Sequence, residues 1–281
     1  MSRQVSQRIA FAVLTIISVV VVVPIVLVLV YIIVQGIGAI SWEFLTAFPS
    51  NGMKDGGIMP AIVGTVVLTF GTAIVCMPLA IGAAIYLAEY ARDSWLTRSI
   101  RLAIINLAGV PSVVYGLFGL GLFVLFMNLG TSIVAGSLTL GLMTLPVVIS
   151  TSEEALLAVP QRFRVVSRSL GATRWQTVRH VVLPNALPGI LTGVILGLER
   201  AAGETAPILF TVAAFYLPQL PRSPLDQTMA LPYHLYVIST QVPGMPLEMQ
   251  YGTALVLLAL VLSMNLVATI IRSRFRRRRQ W

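Results

Sequence analysis

One stretch of the chain decides the fold: residues 189–214 have the sequence GILTGVILGLERAAGETAPILFTVAA. It is long and apolar enough to cross a bilayer, since a transmembrane helix needs about 20 mostly apolar residues. Arg200 and Glu204 lie inside it, and Arg200 is 11 residues from Gly189, about 16 Å along a helix and so near the bilayer midplane. A charge at that depth costs at least ~2.5–3.5 kcal/mol. We therefore expect Arg200 to face a protein interior or a water-filled cavity.

The rest of the chain has the composition of a membrane protein. Of its 281 residues, 57% are hydrophobic and 10% are charged, whereas about 25% are charged in soluble domains. The mean hydropathy is +0.90. These values exclude a soluble globular enzyme, a disordered chain and a disulfide scaffold. The chain has one cysteine, Cys76, and two histidines, His180 and His234, which argues against a His/Cys metal site. We predict no metal and no cofactor.

Six segments are apolar enough to span a membrane, and we predict an all-α membrane protein with six transmembrane helices. They are residues 11–37, 60–86, 100–127, 132–151, 189–214 and 251–271. Long polar connections, residues 152–188 and the proline-rich residues 215–250, separate the last three. The chain thus divides into an N-terminal helix with an outer loop (1–57), a transmembrane domain (58–271) and a basic tail (272–281).

The first segment shares one property with a signal peptide, because Arg3 and Arg8 precede its apolar run. The run is more than 20 residues long, beyond a typical signal-peptide core, and no clear small-x-small cleavage site follows it. We therefore expect a retained transmembrane helix.

Basic residues predict the orientation, because Lys and Arg collect on the cytoplasmic side of membrane proteins. With both termini cytoplasmic, 16 of the 19 basic residues lie inside, Lys54 and Arg222 lie outside, and Arg200 lies within a helix. This asymmetry favours a multi-pass plasma-membrane protein with cytoplasmic termini. The arginines at residues 276–279 directly follow an apolar helix, so we interpret them as a contact with anionic lipid and not with nucleic acid.

The charged residues in the fifth segment allow two interpretations. Arg200 and Glu204 share a helical face and can pair, which lowers the cost of burying both charges. The pair either orders helix packing alone or belongs to an anion site. We favour the anion site, because guanidinium presents a rigid fork that matches phosphate-like oxygens. Gly203 and Thr205 adjoin the pair, and small residues here let a helix or ligand approach closely. Glu199 points about 100° away, and its role stays open.

The connection at residues 152–188 is predicted to form short helices. Pro160 and Gly171 punctuate it, and Thr173 can cap a helix that carries Trp175 and three valines on one side. The valines are Val178, Val181 and Val182. Such an amphipathic element can dock into the groove of a partner protein.

This connection resembles a known loop motif. Gly171, nine further residues and then Val181-Val182-Leu183-Pro184 are similar to the G-x9-I-x-L-P half of the motif found in permease subunits of bacterial ABC importers. The resemblance implies a type I ABC importer permease fold, in which this motif forms the cytoplasmic coupling helix that inserts into the ATPase. The family's Glu-Ala-Ala falls on Val165-Val166-Ser167, so its carboxylate is missing here. The implied coupling residues are Gly171, Ala172, Thr173, Arg174, Trp175, Leu183 and Pro184.

Further motifs resemble the PstA-type permease subunits of bacterial phosphate ABC importers. They are YLAEYA (86–91), NLAGVPSVVYGLFGL (106–120), LTLGLMTLP (138–146), GATRWQT (171–177) and RAAGETAP (200–207). The resemblance implies a permease that forms half of the pathway of an ATP-driven phosphate importer. Its implied partners are a PstC-like permease, PstB-like ATPases and a PstS-like phosphate-binding protein. The family's R-x-x-x-E element, important for phosphate passage, falls on Arg200 and Glu204.

The chain carries no nucleotide-binding loop of its own. It lacks a G-x-x-x-x-G-K-[ST] motif, and its only lysine, Lys54, precedes Asp55. We therefore predict a permease without enzymatic activity, with ATP bound by another subunit. The alternatives are a permease for another oxyanion such as sulfate or molybdate, an ion-driven secondary transporter, or a membrane-embedded enzyme. The outer connection is either a docking surface for a solute-binding protein or a cap over the helix ends, and we expect His234 within it to be structural.

Overall fold

The computed structural model describes residues 3–277, and for residues 3, 5, 6, 9 and 275–277 it describes the backbone alone. The predicted lipid contact at residues 276–279 therefore lies outside the described side chains. One small antiparallel hairpin joins β1 (Pro49–Ser50) to β2 (Asp55–Gly56). The α-helices are α1 (Arg3–Gly36), α2 (Trp42–Thr46), α3 (Met59–Ile85), α4 (Trp95–Ala108), α5 (Ser112–Gly119), α6 (Ile133–Leu157), α7 (Gln161–Ser169), α8 (Arg174–Thr177), α9 (Leu183–Gly203), α10 (Ala206–Thr211), α11 (Leu231–Thr240) and α12 (Leu247–Arg277).

The all-α membrane fold is confirmed. Five helical runs in the described residues are long and apolar enough to cross a membrane, and there are six if one bent pair counts as a single span. The bent pair lies where the sequence predicts one continuous helix at residues 100–127. There α4 and α5 meet at 103°. Pro111 explains the break, because it has no N–H to donate and it disfavours a helical conformation at Val110.

The boundaries of the fourth and fifth spans also differ from the prediction. The fourth span runs on to Leu157, six residues beyond its predicted end at Thr151. The fifth begins much earlier than Gly189, because α8 continues through a π-helical turn, Val178–Val182, directly into α9. In that turn the N–H of Leu183 donates to the carbonyl of Val178, five residues back. The wider turn lets the helix pass Pro184, which cannot donate a bond of its own.

The centre of the molecule is α6, which packs against α3 on one side and α9 on the other. Three glycines spaced four residues apart make the contact with α9 possible: Gly189, Gly193 and Gly197. A side chain on any of them would collide with a side chain of α6, namely that of Ala155, Thr151 or Val148, respectively. Small residues repeating every four positions let two membrane helices approach closely. This packing sets the rotation of α9 and therefore the direction of its charged residues.

The two ends of the bundle are built differently. At one end lie α7, α8 and the last turns of α3 and α6. At the other end the connection after α10 folds back into the core, where Leu231 at the start of α11 donates its N–H to Thr65 on α3 at 2.8 Å. The first helix contacts α12 through the edge of Tyr31 on Tyr251, and most of its described apolar side chains are exposed.

Candidate substrate pathway and coupling segment

The fifth span breaks beside its charged residues, just before Pro207, a residue type that can kink a helix. The last helical residue of α9 is Gly203, Glu204 is extended (φ −77°, ψ 134°), and α10 restarts at Ala206. Pro207 lies in the first turn of α10, where a missing N–H costs nothing. Residues 204 and 205 therefore separate α9 from α10 inside one apolar segment. Broken helices of this kind line substrate sites in membrane transporters, since irregular backbone is tolerated there only beside a cavity or buried in protein.

The structure brings Arg200 and Glu204 together at this break. Nε of Arg200 donates to Oε1 of Glu204 at 3.4 Å, a long hydrogen bond. The Arg200 side chain is 39% exposed and that of Glu204 is 18% exposed. Within residues 3–277, this is the only hydrogen bond or ion pair that the guanidinium makes. Its remaining N–H groups are free to bind an anion, which a tightly buried packing pair would not allow.

Neighbouring elements frame the break. Gly116 on α5 lies so close to α10 that a Cβ there would come within 3.0 Å of the backbone of Ala206 and Pro207. Helix α5, the second half of the bent pair, therefore lies directly beside the break. This close approach explains why residue 116 is a glycine.

The other predicted pathway residues lie at the break but are not drawn into the ion pair. Gly203 is exposed, and a side chain placed on it would meet no atom within 4 Å. Thr205 precedes α10 without capping it through its side chain. Glu199 is separate from the pair, and its Oε1 is buried with no hydrogen-bond partner in the described residues.

The coupling segment begins as the sequence predicts. Gly171 follows α7 with φ +86°, a left-handed conformation that favours glycine at the end of a helix. Thr173 then caps α8: its hydroxyl accepts from the N–H of Gln176 at 3.2 Å, and the Gln176 side chain accepts from the N–H of Thr173 at 2.8 Å. This reciprocal capping box fixes where the new helix starts and how it leaves the glycine.

Trp175 and the three valines, which are predicted to share one side of a helix, differ in burial. Val178 and Val182 are buried and Val181 is half-buried, whereas Trp175 is 54% exposed. A π-helical turn spans residues 178–182. Arg174 is exposed beside Trp175, and Ala172, Leu183 and Pro184 are half-buried. The exposed surface here is therefore the first turn of α8, together with Val165 and Val166 of α7 and Leu170 directly after that helix.

Sequence reasoning missed one charged pair that joins α7, the helix before this segment, to the bundle. Arg164 on α7 donates to Glu89 near the end of the second apolar run, Met59–Tyr90, with Nη2–Oε1 at 2.6 Å and Nε–Oε1 at 3.0 Å. The two side chains are only 4% and 7% exposed. Arg164 also donates to the carbonyls of Leu156 and Val159 at the end of α6. The signal was present in YLAEYA, where a carboxylate stands within an otherwise apolar run.

The described residues contain no group of three or more His, Cys, Asp or Glu placed to hold a metal ion. The candidate pathway therefore offers one exposed guanidinium at a broken membrane helix. A separate exposed segment with apolar and basic side chains lies at one end of the bundle.

Solved structures with this architecture define the class. One is a chain of the MetNI methionine ABC transporter, solved in inward-facing conformations (TM-score 0.61, 18% identity, 78% of this chain and 94% of that chain). Another is a chain of a bacterial ABC transporter involved in the import of the acidic polysaccharide alginate (TM-score 0.64, 14% identity, 96% and 97% coverage). The fold is that of a type I ABC importer permease.

Sequence relatives identify the family. Residues 78–280 match the family described as binding-protein-dependent transport system inner membrane component, and the chain belongs to it. It is 32% identical to the probable ABC transporter permease protein YqgI of Bacillus subtilis, over 95% of both chains. It is 35% identical to the probable phosphate transport system permease protein PstA of Methanocaldococcus jannaschii, over 84% of this chain and 82% of that one. It is 36% identical to PstA 1 of Mycobacterium tuberculosis, over 80% and 72%.

Membership in this family makes the chain a multi-pass membrane permease of an ABC importer, a component that is not itself catalytic. The ion-driven secondary transporter and the membrane-embedded enzyme are thereby excluded.

Proposed function

We propose that this chain forms half of the translocation pathway of an ATP-driven phosphate importer and that Arg200 is its anion contact. The observation that carries the proposal is the exposed guanidinium beside the break in the fifth span, held by Glu204 alone among the described residues. The names of several relatives, which are phosphate transport permeases, support phosphate as the anion. A guanidinium stays charged at every physiological pH, so it can bind both ionic forms of phosphate.

Arg200 stabilises the passing anion without holding it tightly. A site that bound phosphate through several such groups would retain it, whereas one guanidinium partly satisfied by a carboxylate lets it leave. Glu204 orients Arg200, and its carboxylate accepts a hydrogen bond from a protonated phosphate oxygen. Gly203 and Thr205 flank the path and keep the backbone accessible. No covalent bond is made or broken in this chain.

The coupling segment, residues 171–184, carries movement from the ATPase to the pathway. Because α8 continues into α9, a displacement of Trp175 is transmitted along one helix to Arg200. Both termini and this segment face the cytoplasm, where PstB-like ATPases bind, and the opposite end receives phosphate from a PstS-like binding protein. A PstC-like permease supplies the other half of the path. Residues 58–271 form the working transmembrane domain.

The test is phosphate uptake by cells or liposomes containing the assembled complex with Arg200→Ala. We expect uptake to fall about ten- to a hundredfold, since a hydrogen bond to a charged group contributes about 1.5–3 kcal/mol, while copurification with the ATPase stays normal. The matched control is Arg98→Ala, which removes an exposed arginine paired with Asp93 outside the site. Wild-type uptake by the Arg200 variant would refute the site assignment.

The alternative substrates are separated by competition. A phosphate permease transports labelled phosphate in the presence of excess sulfate or molybdate, whereas a permease for either of those ions is blocked by it. ATP turnover of the reconstituted complex with phosphate-loaded binding protein gives a second readout that does not depend on uptake.

A further inference from the structure

A second arginine lies beside α9, nearer to the coupling segment than Arg200 is. Arg272 of α12 is half-buried, and its Nη1 donates to the hydroxyl of Thr192 on α9 at 3.2 Å. The Thr192 hydroxyl itself donates to the carbonyl of Pro188 at 2.9 Å, so its oxygen is left to act as an acceptor. Thr192 thus holds the Arg272 guanidinium against α9.

The charge of Arg272 is not compensated within the described residues. Thr192 is neutral, and the guanidinium makes no other hydrogen bond and no ion pair there. Glu199 lies seven positions after Thr192, about two turns further along α9, and neither a hydrogen bond nor an ion pair joins it to Arg272. The remaining N–H groups of the guanidinium are therefore available to another group.

The position of Arg272 differs from that of an arginine that contacts lipid head groups alone. Long basic side chains near the end of a membrane helix extend toward the membrane surface. Arg274, two positions further along α12, is exposed, whereas Arg272 reaches across to α9. Thr192 is eight positions from Arg200, or about 12 Å, which is less than the half-thickness of about 15 Å of the hydrocarbon core. Charges at such depths mark ion and substrate pathways.

An open row of side chains on α9 connects the two arginines. Thr192, Leu196 and Arg200 are spaced four positions apart, so they follow one another on successive turns of one helical face. Leu196 is 49% exposed, and the Arg200 side chain is 39% exposed. The glycines that contact α6, Gly193 and Gly197, directly follow two of these residues in the chain. The row therefore lies beside the contact with α6 and is reached by α12 at Thr192.

We propose that Arg272 is a second anion contact of the translocation pathway, which receives the anion after Arg200 and before it leaves toward the coupling segment. This inference rests on the proposed function. About 12 Å along α9 separates Arg200 from the residue that holds Arg272, so the two arginines contact the anion in succession. A pathway conducts when its sites are several and individually weak. Thr192 is a positioning residue, and Leu196 between the two contacts has no polar group to retain the ion.

The competing partner of Arg272 is a carboxylate of the second permease subunit. It would neutralise the guanidinium permanently and add a fixed negative charge to the row. An anion that leaves Arg200 along this row would then be repelled. The exposed row beside Arg200 therefore favours a passing anion over a fixed carboxylate.

The first test measures the electrostatic potential on the row in the assembled transporter. The only cysteine of the chain, Cys76, is buried, so Leu196→Cys in a Cys76→Ala background gives this subunit one exposed thiol. Mass spectrometry follows its reaction with a negatively charged and a neutral methanethiosulfonate reagent. We expect Arg272→Gln to slow the negative reagent about threefold, the factor that a unit charge about 6 Å away gives in bulk water. The neutral reagent should react at an unchanged rate.

The second test measures phosphate uptake by liposomes that contain the same complex. Arg272→Gln should lower uptake about tenfold, as expected for the loss of a hydrogen bond from a charged donor, while Arg272→Lys keeps the charge and retains most of the uptake. Thr192→Val removes the positioning acceptor and should lower uptake less than Arg272→Gln does. The matched control is Arg274→Gln, which removes an exposed arginine of the same helix end and should change neither uptake nor the reagent rates.

Four results would overturn the proposal. Equal rates of the negative reagent with and without Arg272→Gln would mean that a carboxylate of another subunit already neutralises Arg272. A Leu196→Cys thiol that reacts with neither reagent would mean that protein or lipid covers the row. Equal losses of uptake in Arg272→Gln and Arg274→Gln would leave a general effect of tail charge, and wild-type uptake in Arg272→Gln would remove the anion contact.

The two arginine assignments fail separately. Normal uptake in Arg200→Ala with reduced uptake in Arg272→Gln would refute the Arg200 site and retain Arg272 as an anion contact. The reverse pattern would refute the Arg272 contact alone.

Discussion

Arg164 and Glu89 form an ion pair that is almost completely buried and that joins three elements of the fold. The guanidinium contacts the carboxylate near the end of the second apolar run, Met59–Tyr90, and two carbonyls at and just after the end of α6, while its own backbone belongs to α7. Helix α7, which directly precedes the coupling segment, is therefore attached to the bundle through a charged contact as well as through the chain.

Removing one member of this pair is expected to be costly. Glu89→Gln leaves the Arg164 charge buried and unpaired, and Arg164→Met leaves the Glu89 carboxylate buried and unpaired. Each single change should destabilise the folded protein by about 3–5 kcal/mol. The double variant Glu89→Leu with Arg164→Met should be more stable than either single variant, because no charge is then left uncompensated. Thermal melting of the purified complex measures both effects.

The same double variant separates stability from coupling. If the pair transmits movement, the double variant has near-normal melting yet less phosphate uptake per ATP hydrolysed. A variant that melts normally and retains the wild-type ratio of uptake to hydrolysis would show that the pair is structural alone.

Trp175 is expected to dominate the contact with the ATPase. It is 54% exposed in the first turn of the coupling helix, and aromatic anchors of this kind contribute about 2 kcal/mol or more to an interface. Trp175→Ala should weaken association with the ATPase about thirtyfold. Copurification at graded ATPase concentration measures it, and Trp42→Ala, which removes an exposed tryptophan of α2, is the control. Unchanged association of the Trp175 variant would contradict the coupling assignment.

The close contact that the three glycines of α9 make with α6 can be tested by placing a side chain on one of them. Gly193→Val places a side chain against Thr151 and forces α6 and α9 apart, which should cost about 1–3 kcal/mol. Gly82→Ala, on α3, meets no atom within 4 Å and should be neutral or slightly stabilising, because alanine is the better helix former. Melting temperature compares the two, and equal losses would show that the close contact is unimportant.

Acidification is expected to destabilise the end of the bundle that carries α11. Burial lowers the pKa of His234 to about 4, below its value of about 6.5 in the unfolded chain. Between these values the unfolded state binds more protons, so stability is full above pH ~6.5 and falls as the pH drops toward 4, by up to about 3 kcal/mol.

His234→Phe should lose this part of the pH dependence, as measured by melting at pH 7 and pH 5. The exposed His180 serves as the control through His180→Gln. An equally steep loss of stability in His234→Phe would assign the acid sensitivity to other groups.

Much of this protein was predictable from local sequence. Apolar length and composition alone determine an all-α membrane protein, because every backbone polar group must be satisfied within a helix when no water is present. Thr173 predicted a helix start, since an N-cap hydroxyl bonds backbone N–H groups two or three residues away. Arg200 in an apolar run also indicated a candidate site, because the cost of a charge in hydrocarbon depends on its depth.

Only the tertiary structure decided the rest. The break at Glu204, the 103° bend at Pro111 and the π-helical turn before Pro184 depend on which neighbouring elements replace the lost backbone bonds. The pairing of Glu89 with Arg164 joins residues far apart in the chain, and no spacing rule connects them. Sequence thus determined where helices form and which charges are costly, because both follow from short-range energies. Which helices touch, and which charges meet, was decided by packing between segments distant in sequence.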